Sequence, residues 1–64
     1  MTERRIKILQ LLCDGKVHKE IASELDLHIS LIHREIASIK RLLAAATTAQ
    51  LVFLAIKRGH IATM

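Results

Sequence analysis

Proline, tryptophan and tyrosine are missing from this 64-residue chain, and phenylalanine and cysteine occur once each, at Phe53 and Cys13. With no proline and only two glycines, Gly15 and Gly59, the turn chemistry of a β-rich domain is lacking, and an all-α fold is the default. A single cysteine excludes an internal disulfide, and a small domain without one fits a reducing compartment. Cys13 lies in the apolar run "ILQLLCDG" and reads as a buried thiol. The N-terminus passes through Glu3, Arg4 and Arg5 into a mixed pattern and lacks the uninterrupted apolar region and small-residue cleavage site of a secretory signal. The longest weakly polar stretch, "LLAAATTAQLVFLAI", is interrupted by two threonines and a glutamine. It falls short of the roughly 20 residues that a membrane span requires. The expectation is a soluble, cytoplasmic chain with no membrane partner.

The sequence also lacks the patterns of catalysis. No glycine-rich phosphate loop, paired carboxylates or nucleophile elbow occurs, which argues against an enzyme or a cofactor. Four histidines and a cysteine raise the question of a metal. However, His28 and His33 are five apart and do not share a helical face, and Cys13, His18 and His60 fall on separate elements. None of this matches zinc-ligand spacing.

What the chain does have is helical periodicity and positive charge. Ten Lys plus Arg against six Asp plus Glu give a formal charge of +4 and a pI near 9.9, a balance that on electrostatics favours a polyanionic partner, nucleic acid first. A chain this short buries only about 60% of the surface that its unfolded form exposes, so it forms a single domain with a small core. Four helices are expected, at about 2–13, 18–25, 29–43 and 47–58. The first has Ile8, Leu9, Leu11 and Leu12 as apolar content and is stopped by Asp14 and Gly15. The second turns Ile21, Ala22 and Leu25 inward, with Val17 just ahead on the same spacing. The third carries Ile29, Ile32, Ile36, Ile39 and Leu43, spaced three-four-three-four along one narrow stripe. Only "DLHI" separates the second helix from the third, the short turn that a helix-turn-helix unit needs. The fourth begins with "TTAQ", a capping box in which Thr47 accepts from the Gln50 amide while Gln50 reaches back. It ends at Lys57, Arg58 and Gly59. Its middle, "LVFLAI", is apolar all round, which implies a second buried surface such as a dimer interface. Thr47, Gln50, Leu51, Phe53 and Leu54 are the candidates there, with Phe53 foremost.

The opening "TERR", the run "ILQLLCDG", the signature "KEIASEL" at Lys19 to Leu25, the aliphatics Ile32, Ile39 and Leu43, and the closing "LVFLAIKRGHI" together resemble a LuxR/FixJ/NarL-type helix-turn-helix domain. The resemblance runs from Thr2 to Ile61 without gaps. It implies an all-α, four-helix domain whose third helix enters the DNA major groove and whose fourth forms a dimer contact. By position it implies base-edge contacts from His33, Arg34 and Ala37, phosphate contacts near Lys40 and Arg41, and a backbone approach at Lys19. Ser30 and Ser38 complete the candidate DNA-binding set. The chain departs from the family pattern at His28, Leu31, Glu35 and Thr48.

Rotating the third helix by 100° per residue places Arg34, Ala37, Ser38 and Arg41 opposite the isoleucine stripe. His33 and Lys40 then fall on one flank, and Leu31 and Glu35 on the other. Small Ala37 and Ser38 let a helix sit deep in a groove, and Arg34 suits a bidentate contact to guanine that contributes about 1 to 3 kcal/mol of discrimination. Outward Arg and Lys also suit an idle solvated face. Glu35 reads as a flank residue with a structural role, with Lys40 and Arg34 as local pairing options at imperfect spacing. Two functional classes follow: a stand-alone DNA-binding transcription regulator acting as a homodimer, or a protein-interaction module of the same fold that binds another regulator or RNA polymerase.

Overall fold

The structure is a computed structural model and describes residues 1–63. It is all-α, with four helices in the order α1 (Glu3–Cys13), α2 (His18–Leu25), α3 (Ile29–Leu43) and α4 (Thr48–Lys57). α1 and α3 each pack against all three other helices, whereas α2 and α4 share no contact among the described residues. α3 is therefore held from three sides and keeps one side free.

Each boundary has a local cause. The Thr2 hydroxyl accepts the Arg5 amide at 3.2 Å, so Thr2 caps α1 from outside and satisfies one of the amides that a helix start leaves unpaired. After Cys13 the chain turns at Gly15, whose φ of +88° is the left-handed conformation that glycine tolerates best. At α2, Val17 is the extended residue before the helix, and its amide donates to the Glu20 carboxylate at 2.9 Å. α2 ends on Asp26 in the left-handed region, with the Leu27 amide returning to the Ala22 carbonyl at 2.9 Å. His28 follows as the cap of α3, its Nδ1 accepting the Ser30 amide at 3.2 Å. Only Asp26, Leu27 and His28 lie between α2 and α3. α3 stops at Ala44, whose φ is +58°.

The start of α4 differs from the expected capping box. The Gln50 amide does donate to the Thr47 hydroxyl at 3.0 Å. The Gln50 side chain, however, reaches one residue further back and accepts the Ala46 amide at 2.6 Å. The axis of α4 turns 58° from that of α3, and no single helix among the described residues is long and apolar enough to cross a membrane.

One contiguous core joins all four helices. Ile8 and Leu9 of α1, Ile21 of α2, Ile32 and Ile39 of α3 and Leu51 of α4 are fully enclosed, and Ile61 folds back against them from beyond α4. Gln10 Nε2 ties that returning segment to α1 by donating to the Ala62 carbonyl at 3.2 Å. No polar or charged residue is buried among the described residues, so the core is held by apolar burial and packing, without internal charge pairs.

Three inward expectations are corrected. Val17 is 60% exposed: it precedes α2 in an extended conformation, so helical spacing does not govern where its side chain points. Ile29, at 38% exposure, is the first residue of α3 and projects past the packed part of the stripe. Cys13 is half-buried, because it lies in the last turn of α1, where the chain swings out toward Gly15.

Candidate nucleic-acid interface

α3 presents its free side as a polar and basic surface. Arg34, Ala37 and Arg41 are exposed on it, His33 is exposed along one edge, and Ser38 and Lys40 are half-buried where the surface curves back toward neighbouring helices. Ile32, Ile36, Ile39 and Leu43 face the opposite way into the core. The amphipathic division is therefore sharp, and the small Ala37 lies between the two arginines on that face. Lys19 is exposed in the first turn of α2, and α2 packs directly on α3.

Ser30 takes a more local part. Its hydroxyl lies 2.8 Å from His28 Nδ1 and its amide donates to the same nitrogen. The side chain thus closes the cap of α3 while remaining exposed.

Glu35 has a partner that the sequence reading did not identify. Arg5 of α1 reaches across 30 positions to place a guanidinium nitrogen 3.4 Å from Glu35 Oε1, with the two side chains 26% and 17% exposed. The pair ties α1 to the flank of α3 and neutralises the one carboxylate of that helix. No periodicity marks such a pair, because its members lie on different helices and meet only when both are packed.

A second pairing lies on the opposite flank. The rings of His18, first residue of α2, and His33 sit edge to face with centroids 4.9 Å apart and planes at 63°. Burial, then the nearby His33, then Lys40 hold His18 below its ordinary value of 6.5. Each of these disfavours an additional positive charge. Among the described residues, no group of three or more His, Cys, Asp or Glu side chains is placed to hold a metal.

α4 requires one correction. Leu51 is completely buried, as is Ala55 one turn later, so Leu51 supports the core and cannot form a dimer contact. With Thr47 as the cap, the inward line of α4 runs through positions 51 and 55. The surrounding sequence is too uniformly apolar to reveal that phase. Phe53 points the other way and is 61% exposed, with Lys57 Nζ 5.9 Å from its ring centroid. Thr47 and Gln50 are exposed but occupied in capping, and Leu54 is half-buried against the core. Leu42, near the end of α3, is a further exposed aliphatic at 58%.

Two open surface hollows lie between α1 and the end of α2. One is bordered by Glu3, Arg4, Lys7, Leu25 and Leu27, the other by Lys7, Gln10, Leu11, Glu24 and Leu25. Neither includes a residue of α3.

No protein-family model, curated protein or solved structure matches the chain.

Proposed function

We propose that this chain is a cytoplasmic, nucleoid-associated DNA-binding transcription regulator of the LuxR/FixJ/NarL type, which inserts α3 into the major groove and dimerises through α4. The observation that carries the reading is the free face of α3, where Arg34 and Arg41 are exposed around Ala37 while the helix's carboxylate, Glu35, is engaged by Arg5. Such a face offers positive charge and a small central residue to a duplex, with its acid already paired. The three-residue connection from α2 is in keeping with a helix-turn-helix, in which the first helix braces the second across the DNA backbone.

In this reading Arg34 reads a base edge, Ala37 lines the groove, His33 lies at the groove's edge beside the backbone, and Lys40, Arg41, Ser38, Ser30 and Lys19 face phosphate or backbone. Enzymatic chemistry and cofactors play no part. Phe53, Thr47, Gln50 and Leu54 lie at or beside the dimer contact, which sets two half-sites about one helical turn apart.

Duplex binding measured against salt is the test. If Lys19, Lys40 and Arg41 neutralise one phosphate each, log K falls with log salt at a slope of about −2.7 per chain. Arg34→Ala then weakens binding to a selected site more than to random duplex. Absence of duplex binding at low salt refutes the reading.

A second reading is favoured by the exposed Phe53 and Leu42: a protein-interaction module docking on another regulator or on RNA polymerase. Sedimentation separates the two. A wild type that is monomeric at high micromolar concentration removes the α4 dimer. A dimer dissociated by Phe53→Glu supports it.

A further inference from the structure

The pairing of His18 with His33 places basic groups together without an acidic partner of their own. His18 comes from α2 and His33 from α3, and their rings touch edge to face at 4.9 Å. Lys40 lies two turns along α3 from His33, on the same side of that helix, and is close enough to act electrostatically on His18. The exposed Lys19 follows His18 in the chain. The nearest acid in sequence, Glu20, is engaged by the Val17 amide at 2.9 Å, and Glu35 lies on the far flank, held by Arg5. Packing thus assembles basic side chains from two helices and leaves an acidic counterpart to be supplied from outside.

We propose that His18, His33 and Lys40 form a binding site for a phosphate group, and that occupation of this site is coupled to proton uptake by the two imidazoles. The proposal rests on the DNA-binding reading only for the origin of that phosphate, which is the duplex backbone. The recognition chemistry itself needs only a tetrahedral anion. A neutral imidazole offers one N–H and a protonated one offers two, while Lys40 brings a full positive charge. In the free protein, burial, then the nearby His33, then Lys40 disfavour the protonated form of His18. An arriving phosphate reverses the balance, since an adjacent anion favours the charged form of each imidazole.

The sign of the linkage follows. The occupied state binds protons more tightly than the free state, so affinity rises as pH falls through the bound-state titration. Each proton taken up contributes at most a tenfold gain per pH unit. Phosphate contacts that do not change protonation, such as those from Arg41, add affinity without adding slope. The His18 contribution to the wild-type slope is the part removed by substitution.

The experiment follows the imidazole resonances of the full wild-type chain by NMR at pH 6 and pH 8, during titration with inorganic phosphate and, separately, with a short random-sequence duplex. Duplex affinity is measured by anisotropy over the same pH range for wild type, His18→Gln and Lys40→Gln, with helical circular dichroism confirming that each variant is folded. The expected result is that both ligands move His18 and His33 toward the protonated form. Wild-type affinity then rises severalfold to tenfold per pH unit on acidification, and His18→Gln flattens that rise. Duplex binding without a histidine response, or with a pH slope unchanged in His18→Gln, overturns the phosphate site and leaves the DNA reading standing. A histidine response to inorganic phosphate without any duplex binding upholds the site and removes the DNA reading. Silence toward both ligands removes both.

Discussion

The bridge between Arg5 and Glu35 sets up a measurable contest between stability and surface charge. At 3.4 Å, opposite unit charges attract by about 1 kcal/mol in bulk water and about 5 kcal/mol at an effective dielectric of about 20. Neither limit is the net value. The side chains are 26% and 17% exposed and joined by a single N–H to O contact, so solvent screening and rotamer entropy remove most of the gross attraction. Fully exposed pairs contribute about 0.2 to 1 kcal/mol and breaking a buried pair costs about 3 to 5 kcal/mol, which puts this pair near 1 kcal/mol. Against a total stability of about 3 to 10 kcal/mol for a domain of this size, that is a shift of about 4 to 8 °C in Tm. A double-mutant cycle with Arg5→Gln and Glu35→Gln, followed by urea denaturation, isolates the coupling. The coupling should shrink in about 1 M salt, where the Debye length falls to about 3 Å. A functional arm uses Arg4→Gln as control, since Arg4 is exposed and takes part in no ion pair among the described residues. On the DNA-binding reading, Arg5→Gln should weaken duplex binding more than Arg4→Gln, because it leaves Glu35 uncompensated beside the free face of α3. A coupling below about 0.2 kcal/mol, or equal effects of the two arginine variants on DNA binding, refutes the reasoning.

Leu51→Ala should cost about 2 to 5 kcal/mol and bring a domain this small close to unfolding at 37 °C, whereas Phe53→Ala should change monomer stability by less than about 0.5 kcal/mol; denaturant melts at low protein concentration compare the two. Ala44→Gly should be neutral to stabilising by up to about 1 kcal/mol, since relief of left-handed strain outweighs the added unfolded-state entropy; a fall in Tm contradicts this. His28→Ala, read by thermal melts, should cost about 1 kcal/mol through loss of the α3 cap. For the free protein, the lowered His18 value means that the unfolded chain binds the proton more readily. Stability contributed by neutral His18 is then fully present above about pH 6.5 and is lost as pH falls toward the folded-state value. A urea-midpoint series should show His18→Gln losing part of that acid sensitivity.

These outcomes depend unequally on what a sequence can reveal. The core stripe of α3 is legible because Ile32, Ile36, Ile39 and Leu43 repeat at helical spacing between charged residues, so period and phase are both fixed. The breaks at Gly15 and Gly59 are legible because their left-handed backbone, at φ +88° and +78°, is cheap only for glycine. Ala44 and Asp26 adopt the same region without that signal. In α4 the period is present but the phase is hidden, since "LVFLAI" offers no polar side. Leu51 and Phe53 look equivalent in sequence, yet one is fully enclosed and the other 61% exposed.

The candidate site divides along the same line. The outward placement of Arg34, Ala37 and Arg41 follows from the stripe on the other side of α3 and needs no knowledge of its neighbours. The charge that α3 presents does not follow from α3 alone. Arg5 pairs with Glu35 from one side, while His18 packs edge to face on His33 from the other. α3 is therefore less negative along its Glu35 edge than its own residues indicate, and its His33 edge carries a second imidazole supplied by α2. The electrostatic character of the free face of α3 is thus set in part by α1 and α2. On the DNA-binding reading, variants in those supporting helices should then change the pH and salt dependence of duplex binding while leaving the base preference proposed for Arg34 intact.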